Sequence, residues 1–305
     1  MSSAPEAAGH GSENPGAPPR RAPRHCFTVD VEDYFQVSNL EGMVPRESWS
    51  SSLSRVEIGT ARVLENLDRH ETRATFFVLG WIAEHHPGLV RRIAQAGHEI
   101  ASHGYGHELV TSLDNRRFRS DVRRAKNVLE DLVGTPVVGY RAPSFTIVRS
   151  TLWALPILVE EGYAYDSSIV PIRHDRYGIP GSPASPHVVQ TTSGPIREIP
   201  PSTLQVSGIR FPVCGGGYLR QYPFMVFRWM VRQVASRGDP IILFIHPWEL
   251  DPDQPRLSAD LVSRLRHYRN LGKTSERMQQ LLAEFSFGRV RDIFPSLADA
   301  KMSRD

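Results

Sequence analysis

The sequence predicts an α/β fold, a (β/α) barrel built around a largely parallel sheet. Short apolar segments alternate with longer helical patterns from residue 25 onward, as they do in proteins with parallel sheets. Several of these segments are almost entirely apolar, which is expected of strands covered on both faces. Acidic, basic or histidine side chains follow them directly, as at the active-site edge of a barrel. Hydrophobic residues make up 40% of the 305 residues, enough for a large core.

Strands and helices are predicted in alternation along most of the chain. The helix at 114–133 has the clearest boundaries, because Asp114 can serve as its N-cap and Gly134 as its stop. Pro156 is expected to interrupt or kink the helix at 151–161. Predicted strands lie at 26–29, 74–80, 98–103, 137–140, 163–166 and 241–245, and predicted helices at 59–70, 86–96, 114–133, 151–161, 222–237, 258–270 and 274–285.

The alternation is interrupted between about residues 171 and 220, where Pro, Gly and Ser are frequent. Segments 188–192 and 196–199 predict a hairpin whose turn contains Gly194. We therefore expect an inserted β-hairpin lobe on a barrel that spans residues 25–250. A helical extension should follow at 251–295. Residues 1–24, rich in Ala, Gly, Pro and Ser, are predicted to be a disordered tail, and residues 296–305 a second tail.

Composition limits the classes of function. The formal net charge is +3 and no long basic block lies outside the N-terminal segment, so nucleic-acid binding is not expected. We find neither a secretory signal nor an apolar stretch of the roughly 18 residues that a membrane helix needs, which predicts no membrane insertion and a cytoplasmic protein. Cys26 and Cys214 are expected to be reduced, buried thiols. The C-terminal helices could form an interface between copies, so a homo-oligomer is one expectation.

Four polar clusters fall where predicted strands end. Because the carboxyl ends of parallel strands meet at one face of a barrel, clusters far apart in sequence can form one site there. The clusters are Asp30-Val31-Glu32-Asp33, Ser102-His103-Gly104-Tyr105-Gly106-His107, Arg141-Ala142-Pro143 and His246-Pro247-Trp248-Glu249.

The pair His103 and His107 indicates a metal site. At a spacing of four residues both imidazoles can face one ion, and a carboxylate would complete a two-histidine, one-acid site with open positions for water. A histidine pair alone is weak evidence, since most such pairs are solvated. Asp30 and Glu32 point to the same face of an extended strand and could share the site. Alternatively, the acids of this cluster form only a turn and a helix N-cap.

Two further polar residues have a structural and a functional interpretation. His246 ends a fully apolar strand, where a polar group is costly without a purpose, although it could be a buried structural histidine. Arg141 could form a surface ion pair, but its position at a strand end favours the orientation of a buried carboxylate.

In this combination the sequence resembles the polysaccharide deacetylases, the NodB-homology or carbohydrate esterase family 4 group. Five segments match the family's motifs in order: FTVDVED, ATFFVLG, HEIASHGYGH, YRAPSF and ILFIHPWE. Together they cover about residues 25–250, and the resemblance implies a distorted (β/α) barrel of the NodB-homology type. The segments HPWELDPDQPR, RHYRNLGKT and LLAEFSFGRVRDIF resemble the C-terminal extension of a subgroup associated with exopolysaccharide and exosortase systems.

The resemblance implies roles for individual residues in removing acetyl groups from an N-acetylated glycan. Asp30 matches the general base, Arg141 the residue that holds it, and His246 the general acid. Asp166 is a further candidate, as the residue that orients His246. Substrate contacts are expected from residues beside these motifs: Tyr105, Pro143 and Trp248.

The resemblance also implies a divalent metal, with zinc as the expected ion. His103 and His107 match the two histidine ligands. The family usually has an acidic ligand where this chain has Val31. Glu32 is therefore the first candidate for the acidic ligand, and Asp33 the second. Because of Val31, two alternatives stay open: an allantoinase-like hydrolase of cyclic amides, and a catalytically inactive glycan-binding module.

Overall fold

The protein is represented by a computed structural model that describes residues 22, 24–38, 43–258 and 260–297. Most of the two predicted tails lies outside these residues. The strands are β1 (His25–Val31), β2 (Thr75–Val78), β3 (Glu99–Ser102), β4 (Gly139–Tyr140), β5 (Tyr165–Asp166), β6 (His187–Thr191), β7 (Gly194–Glu198), β8 (Thr203–Val206), β9 (Ile209–Pro212), β10 (Ile242–Ile245) and β11 (Phe287–Gly288). The helices are α1 (Val56–Arg69), α2 (Gly80–His85), α3 (Pro87–Gln95), α4 (Asn115–Val133), α5 (Ala154–Glu160), α6 (Gly216–Gln221), α7 (Phe224–Ala235), α8 (Leu261–Tyr268), α9 (Leu271–Glu284) and α10 (Val290–Ile293).

The main sheet runs in the order β10-β1-β2-β3-β4-β5-β7-β6. Its neighbouring strands are parallel except for the hairpin of β6 and β7. The central strands are buried on both faces: β2 and β10 expose none of their residues, because helices cover the sheet. The predicted α/β barrel fold is therefore confirmed.

The barrel is distorted where β7 should meet β10, and the chain after β7 fills the gap. Ser202 forms two hydrogen bonds with Ile242 of β10: its backbone N–H donates to the Ile242 carbonyl at 3.2 Å, and its hydroxyl accepts from the Ile242 N–H at 2.8 Å. Val213 then donates its N–H to the Ser202 carbonyl at 2.9 Å. These bonds close the barrel without a regular strand.

The predicted hairpin forms, but its second strand extends the main sheet. Strand β7 pairs in parallel with β5, and its inward side chains Ile196 and Glu198 are buried. A separate two-stranded sheet, β8 with β9, follows in a segment for which no hairpin was predicted. The lobe that stands apart from the barrel is thus the second hairpin.

The helices follow the predicted pattern with shorter ends. The carboxylate of Asp114 accepts the N–H of Arg117 at the start of α4, and Gly134 ends that helix in the left-handed region with φ 68°. The predicted kink at Pro156 is wrong: α5 starts only at Ala154, so the proline lies in the first turn, where a missing N–H costs no helical hydrogen bond.

The C-terminal segment returns to the barrel rather than remaining purely helical. After α8 and α9, the short strand β11 pairs with the start of β1, and His25 lies opposite Phe287. Cys26 of β1 and Cys214 are both buried and unpaired, as predicted. Among the described residues, none of the helices has the length and apolar composition needed to span a bilayer.

Candidate functional site

A cavity of about 350 Å³ opens at the carboxyl ends of the parallel strands. Asp30 and Glu32 reach it from the end of β1, His103 and His107 from the loop after β3, and His246 from the end of β10. The parallel register places these strand ends side by side, so residues more than two hundred positions apart line one floor.

Glu32, His103 and His107 form a buried cluster that could hold a metal ion. Their candidate ligand atoms all lie within 4.8 Å of one another. The carboxylate of Glu32 is 3.0 Å from Nε2 of His107. Nδ1 of His103 donates to the Arg141 carbonyl at 2.9 Å, which leaves Nε2 of His103 for an ion. Burial lowers the pKa of His103 to about 4, so this imidazole is neutral and can donate a lone pair.

The loop that carries the two histidines is held by a residue from helix α4. The carboxylate of Asp121 accepts the backbone N–H of Tyr105 at 2.9 Å and that of Gly106 at 3.3 Å. His107 has a φ of 52°, an uncommon conformation for a residue with a side chain. The Arg46 guanidinium donates to the His107 carbonyl at 2.9 Å. Asp121 was not predicted, because no sequence signal pairs a helix acid with a loop fifteen residues earlier.

Asp30 and Arg141 form a buried ion pair beside the cluster of Glu32, His103 and His107. Nη1 of Arg141 is 2.7 Å from the Asp30 carboxylate and 2.8 Å from the hydroxyl of Thr28. The other edge of the guanidinium donates to the hydroxyl and carbonyl of Ser167, at 2.9 and 3.2 Å. Its face lies 4.1 Å above the ring of Phe77. These contacts hold the Arg141 guanidinium in one orientation, and the guanidinium in turn holds the Asp30 carboxylate in place.

His246 is held between two carboxylates. Nε2 is 3.0 Å from Glu32, and Nδ1 is 3.2 Å from Glu249. The second oxygen of Glu249 accepts from Nε of Arg220 at 2.8 Å. Burial alone would lower the pKa of His246, but the charges of Glu32 and Glu249 and their hydrogen bonds outweigh it and raise that pKa to about 10. Burial would raise the pKa of Glu249, yet Arg220 and His246 lower it to about 2.

Two acidic candidates have other partners. The Asp33 carboxylate accepts the Ser54 hydroxyl at 2.7 Å and the backbone N–H of Arg55 and Val56, so it caps the chain before α1, which is the turn and cap interpretation. Asp166 does not contact His246; its carboxylate accepts the Ser168 hydroxyl instead. Glu249 occupies the orienting position that was assigned to Asp166. The sequence could have indicated this role of Glu249, because Glu249 lies only three residues after His246.

The three predicted substrate contacts are only partly in position. Tyr105 lies outside the lining of the cavity: its hydroxyl donates to Glu84 at 2.7 Å and its ring lies under the Arg124 guanidinium. Pro143 is buried and is not among the residues that line the cavity. Trp248 does line the cavity. However, its ring stacks with His246 and His267, with centroid separations of 5.2 and 4.2 Å, and Trp248 is only 6% exposed, so little of its surface is free for a sugar.

Sequence reasoning missed most of the cavity walls. The additional wall residues come from the loops after β4 and β5, from α6 and from α8. They are Ser144, Phe145, His174, Arg176, Tyr177, Tyr218, Gln221 and Arg266. Among them, the hydroxyls of Tyr177 and Tyr218 are hydrogen-bonded to each other at 2.7 Å. The predicted insertion and the C-terminal extension therefore both contribute to the cavity.

Two family models match consecutive parts of the chain. Residues 56–157 match the polysaccharide deacetylase model, and residues 167–295 match a domain of unknown function, DUF3473. A peptidoglycan-N-acetylglucosamine deacetylase of Bacillus cereus is 34% identical over 96 residues, which are 31% of this chain and 35% of that protein. A chitooligosaccharide deacetylase of Rhizobium leguminosarum is 36% identical over 70 residues, 23% of this chain and 33% of that protein. The matches thus span about a third of these relatives.

Two solved structures are similar over nearly the whole chain. One is a candidate polysaccharide deacetylase from Mycobacterium smegmatis, with a TM-score of 0.61 and 22% identity, covering 95% of this chain and 93% of that one. The other is an allantoinase, Puue, with a TM-score of 0.59 and 17% identity, covering 97% and 96%. At these identities the similarity establishes the fold.

Proposed function

We propose that this chain, whose residues 56–157 match the polysaccharide deacetylase model and whose residues 167–295 match DUF3473, is a metal-dependent hydrolase of N-acetyl groups on amino sugars. The observation that carries the proposal is the convergence of three units in one cavity: the Glu32, His103 and His107 cluster, the Asp30–Arg141 pair, and His246. Each unit suits one requirement of amide hydrolysis.

We propose that Glu32, His103 and His107 bind the metal, with zinc as the ion. Two imidazoles and one carboxylate are a donor set that zinc accepts in hydrolytic sites. When bound, such an ion polarises the acetyl carbonyl and lowers the pKa of water. Val31 points into the apolar core, and Glu32 lies on the cavity side. This arrangement supports Glu32 as the acidic ligand in place of the residue usual in the family. The hydrogen bonds that the Asp33 carboxylate accepts from Ser54, Arg55 and Val56 favour Glu32 over Asp33.

Asp30 is proposed to take the proton from the attacking water. Its carboxylate lies in the cavity floor, and Arg141 holds it in one orientation from behind. Because Arg141 is anchored by Thr28 and Ser167, the carboxylate need not reorganise when the proton moves.

His246 is proposed to protonate the departing sugar amine. A general acid must carry a proton at the working pH, and the Glu249 carboxylate 3.2 Å from Nδ1 supports that role because it favours the protonated ring. Glu249 orients the ring through Nδ1, so that Nε2 points toward Glu32 in the cavity floor. The role proposed for Glu249 is positioning, since Glu249 contacts the histidine and not the reacting atoms.

The proposed substrate is an N-acetylated glycan, as the names of the deacetylase relatives suggest. We propose that the barrel of residues 25–250 and the extension of 251–295 act as one catalytic unit, because α8 contributes Arg266 to the cavity wall. Action on a cytoplasmic precursor, and assembly into a homo-oligomer, stay predictions. Cell fractionation and light scattering of the purified protein would test them.

Acetate release from N-acetylglucosamine oligosaccharides by the zinc-loaded protein tests the function. We expect turnover in wild type and a loss of about 10²-fold or more in Asp30→Asn, the size of a lost general base. Asp253→Asn, an exposed acid beside Arg62, is the matched control and should retain activity. Release of acetate that survives Asp30→Asn would contradict the assigned base.

The same assay separates the two alternatives. A cyclic amide hydrolase would turn over allantoin and release no acetate from the oligosaccharides. An inactive glycan-binding module would bind the oligosaccharides equally well as wild type and as Asp30→Asn, with turnover in neither.

A further inference from the structure

Helices α7 and α8 expose large apolar side chains to solvent. On α7 these are Met225, Val226 and Trp229, with exposed fractions of 68%, 47% and 49%. On α8 they are Leu261, Val262 and Leu265, with 70%, 56% and 54%. Both sets follow the i, i+1, i+4 spacing, so each forms a single stripe on its helix. We call these six residues the apolar face.

The apolar face is not an exposed edge of the core. Helix α7 already packs its opposite side inward, with Phe227 and Val231 fully buried. Helix α8 buries His267 against Trp248. The outward-facing stripes are therefore apolar surface that the protein exposes in addition to the residues it buries in its core. Side chains of this size, grouped on neighbouring elements, mark an interaction site more often than chance exposure does.

The helices of the apolar face are linked to the wall of the cavity. Gln221, at the end of α6 and three residues before α7 begins, donates from its side chain to the carbonyls of Leu265 and Arg266 at 3.2 Å. Helix α6 thus contacts both α7, which follows it in the chain, and α8. Both Gln221 and Arg266 also line the cavity. The cavity wall and the helices that carry the apolar face are therefore connected through α6 and the end of α8.

The charge around this face is mainly positive, although Asp260 caps the start of α8 and Glu284 lies beside α7. Residues 199–238, which include α7, contain no acidic residue and five arginines, of which Arg220 is buried and paired with Glu249. Helix α8 and its C-cap add Arg264, Arg266 and Arg269, which are exposed and have no ion pair with an acid in the described part of the chain. Arg228 and Arg232 share a single carboxylate, that of Glu284. An apolar stripe with Trp and Leu inside a rim of arginines fits an anionic lipid surface, where the side chains insert and the guanidinium groups meet headgroups.

We propose that α7 and α8 dock the protein on the surface of an anionic phospholipid bilayer, with the mouth of the cavity beside the membrane. The docking surface is interfacial, because the two stripes are short and lie on the outside of packed helices. This proposal does not depend on the deacetylase chemistry, since it rests on exposure and charge alone.

Cosedimentation of the full chain with vesicles tests the docking. We expect binding to phosphatidylcholine vesicles that contain phosphatidylglycerol, weak binding to pure phosphatidylcholine, and weakening by added salt. The pair Trp229→Ser/Leu265→Ser should reduce binding by about tenfold or more, because each lost side chain removes buried apolar area. The control pair Leu53→Ser/Leu152→Ser, on exposed residues elsewhere, should bind as wild type does.

Three results would overturn the proposal. The first is no binding to either vesicle, and the second is equal binding by wild type and the Trp229→Ser/Leu265→Ser pair. The third is a concentration-dependent dimer that this pair abolishes, which would assign the face to a second copy of the chain. Melting temperatures establish that the variants fold. If the first pair lowers the melting temperature, Met225→Ser/Val262→Ser tests the same face.

Discussion

The carboxylate of Glu249 joins His246 to Arg220, with one oxygen 3.2 Å from Nδ1 of the histidine and the other 2.8 Å from Nε of the arginine. Arg220 is itself buried and donates to three backbone carbonyls near the end of α8, among them that of His267 at 2.8 Å. The ring of His246 is thereby anchored to the C-terminal extension through a chain of charged hydrogen bonds.

Glu249→Gln should lower kcat by about 10- to 100-fold and leave KM nearly unchanged. A neutral amide orients the His246 ring less firmly than a carboxylate does, and it does not stabilise the positive charge of the protonated ring. The melting temperature should also fall, since Arg220 loses its buried counter-charge. Steady-state kinetics on the zinc-loaded protein gives kcat and KM separately. An unchanged kcat in a variant with a lower melting temperature would mean that Glu249 serves stability alone.

Two adjacent glycines at the start of α6 should respond differently to alanine. A Cβ on Gly216 would lie 1.7 Å from the Glu249 carboxylate, whereas a Cβ on Gly217 would meet nothing within 4 Å. Gly216→Ala should therefore displace Glu249 and reduce both kcat and stability. Gly217→Ala should be close to neutral. The two variants are matched in size and position, so equal effects on turnover and melting temperature would show that contact with Glu249 is not what matters.

The stability of the protein should depend on the titration of Asp121. Burial raises the pKa of Asp121 to about 6 in the folded protein, despite its hydrogen bonds from Tyr105 and Gly106. The unfolded chain ionises near the ordinary value of about 3.8, so folding favours the protonated form. This contribution is fully present below about pH 4 and is lost as the pH rises through 6.

Asp121→Asn removes that titration. The free energy of unfolding of the wild type relative to the variant should fall between pH 4 and pH 7 by an amount up to about 3 kcal/mol. Urea unfolding of both proteins across this range measures the difference. A constant difference would mean that Asp121 is already ionised at pH 4 in the folded state.

Two tyrosine variants test the corrected lining of the cavity. Tyr105→Phe should leave KM unchanged, because its hydroxyl binds Glu84 outside the cavity. Tyr218→Phe removes a hydroxyl from the cavity wall. It should raise KM several-fold, because the loss of one hydrogen bond weakens substrate binding by about 1 kcal/mol. The reverse pattern, an effect of Tyr105 on KM and none of Tyr218, would restore the original prediction for Tyr105.

The fold was predictable because its pattern is local and repeated. Strands such as β2 and β10 are continuous apolar runs, and the boundaries of α4 follow from Asp114 and Gly134. The floor of the site was predictable for a related reason: parallel strands end at one edge, so Asp30, Glu32, His103, Arg141 and His246 had to lie near one another.

The rest depends on contacts that sequence spacing does not encode. Tyr105 and Trp248 look like free aromatic surfaces in the sequence, but Arg124 covers one and two histidines cover the other. Asp33 is an acid next to Glu32, yet the N–H groups before α1 use its carboxylate. The walls of the cavity come from irregular loops, whose paths follow from tertiary packing rather than from periodicity.

The central claim is that Glu32, His103 and His107 hold one divalent ion, and elemental analysis of the purified, zinc-supplied protein tests it most directly. We predict close to one ion per chain in wild type and in the control Asp253→Asn, and almost none in His103→Ala or Glu32→Ala. A wild-type protein that binds no ion, or a Glu32→Ala variant that retains it, would contradict the account.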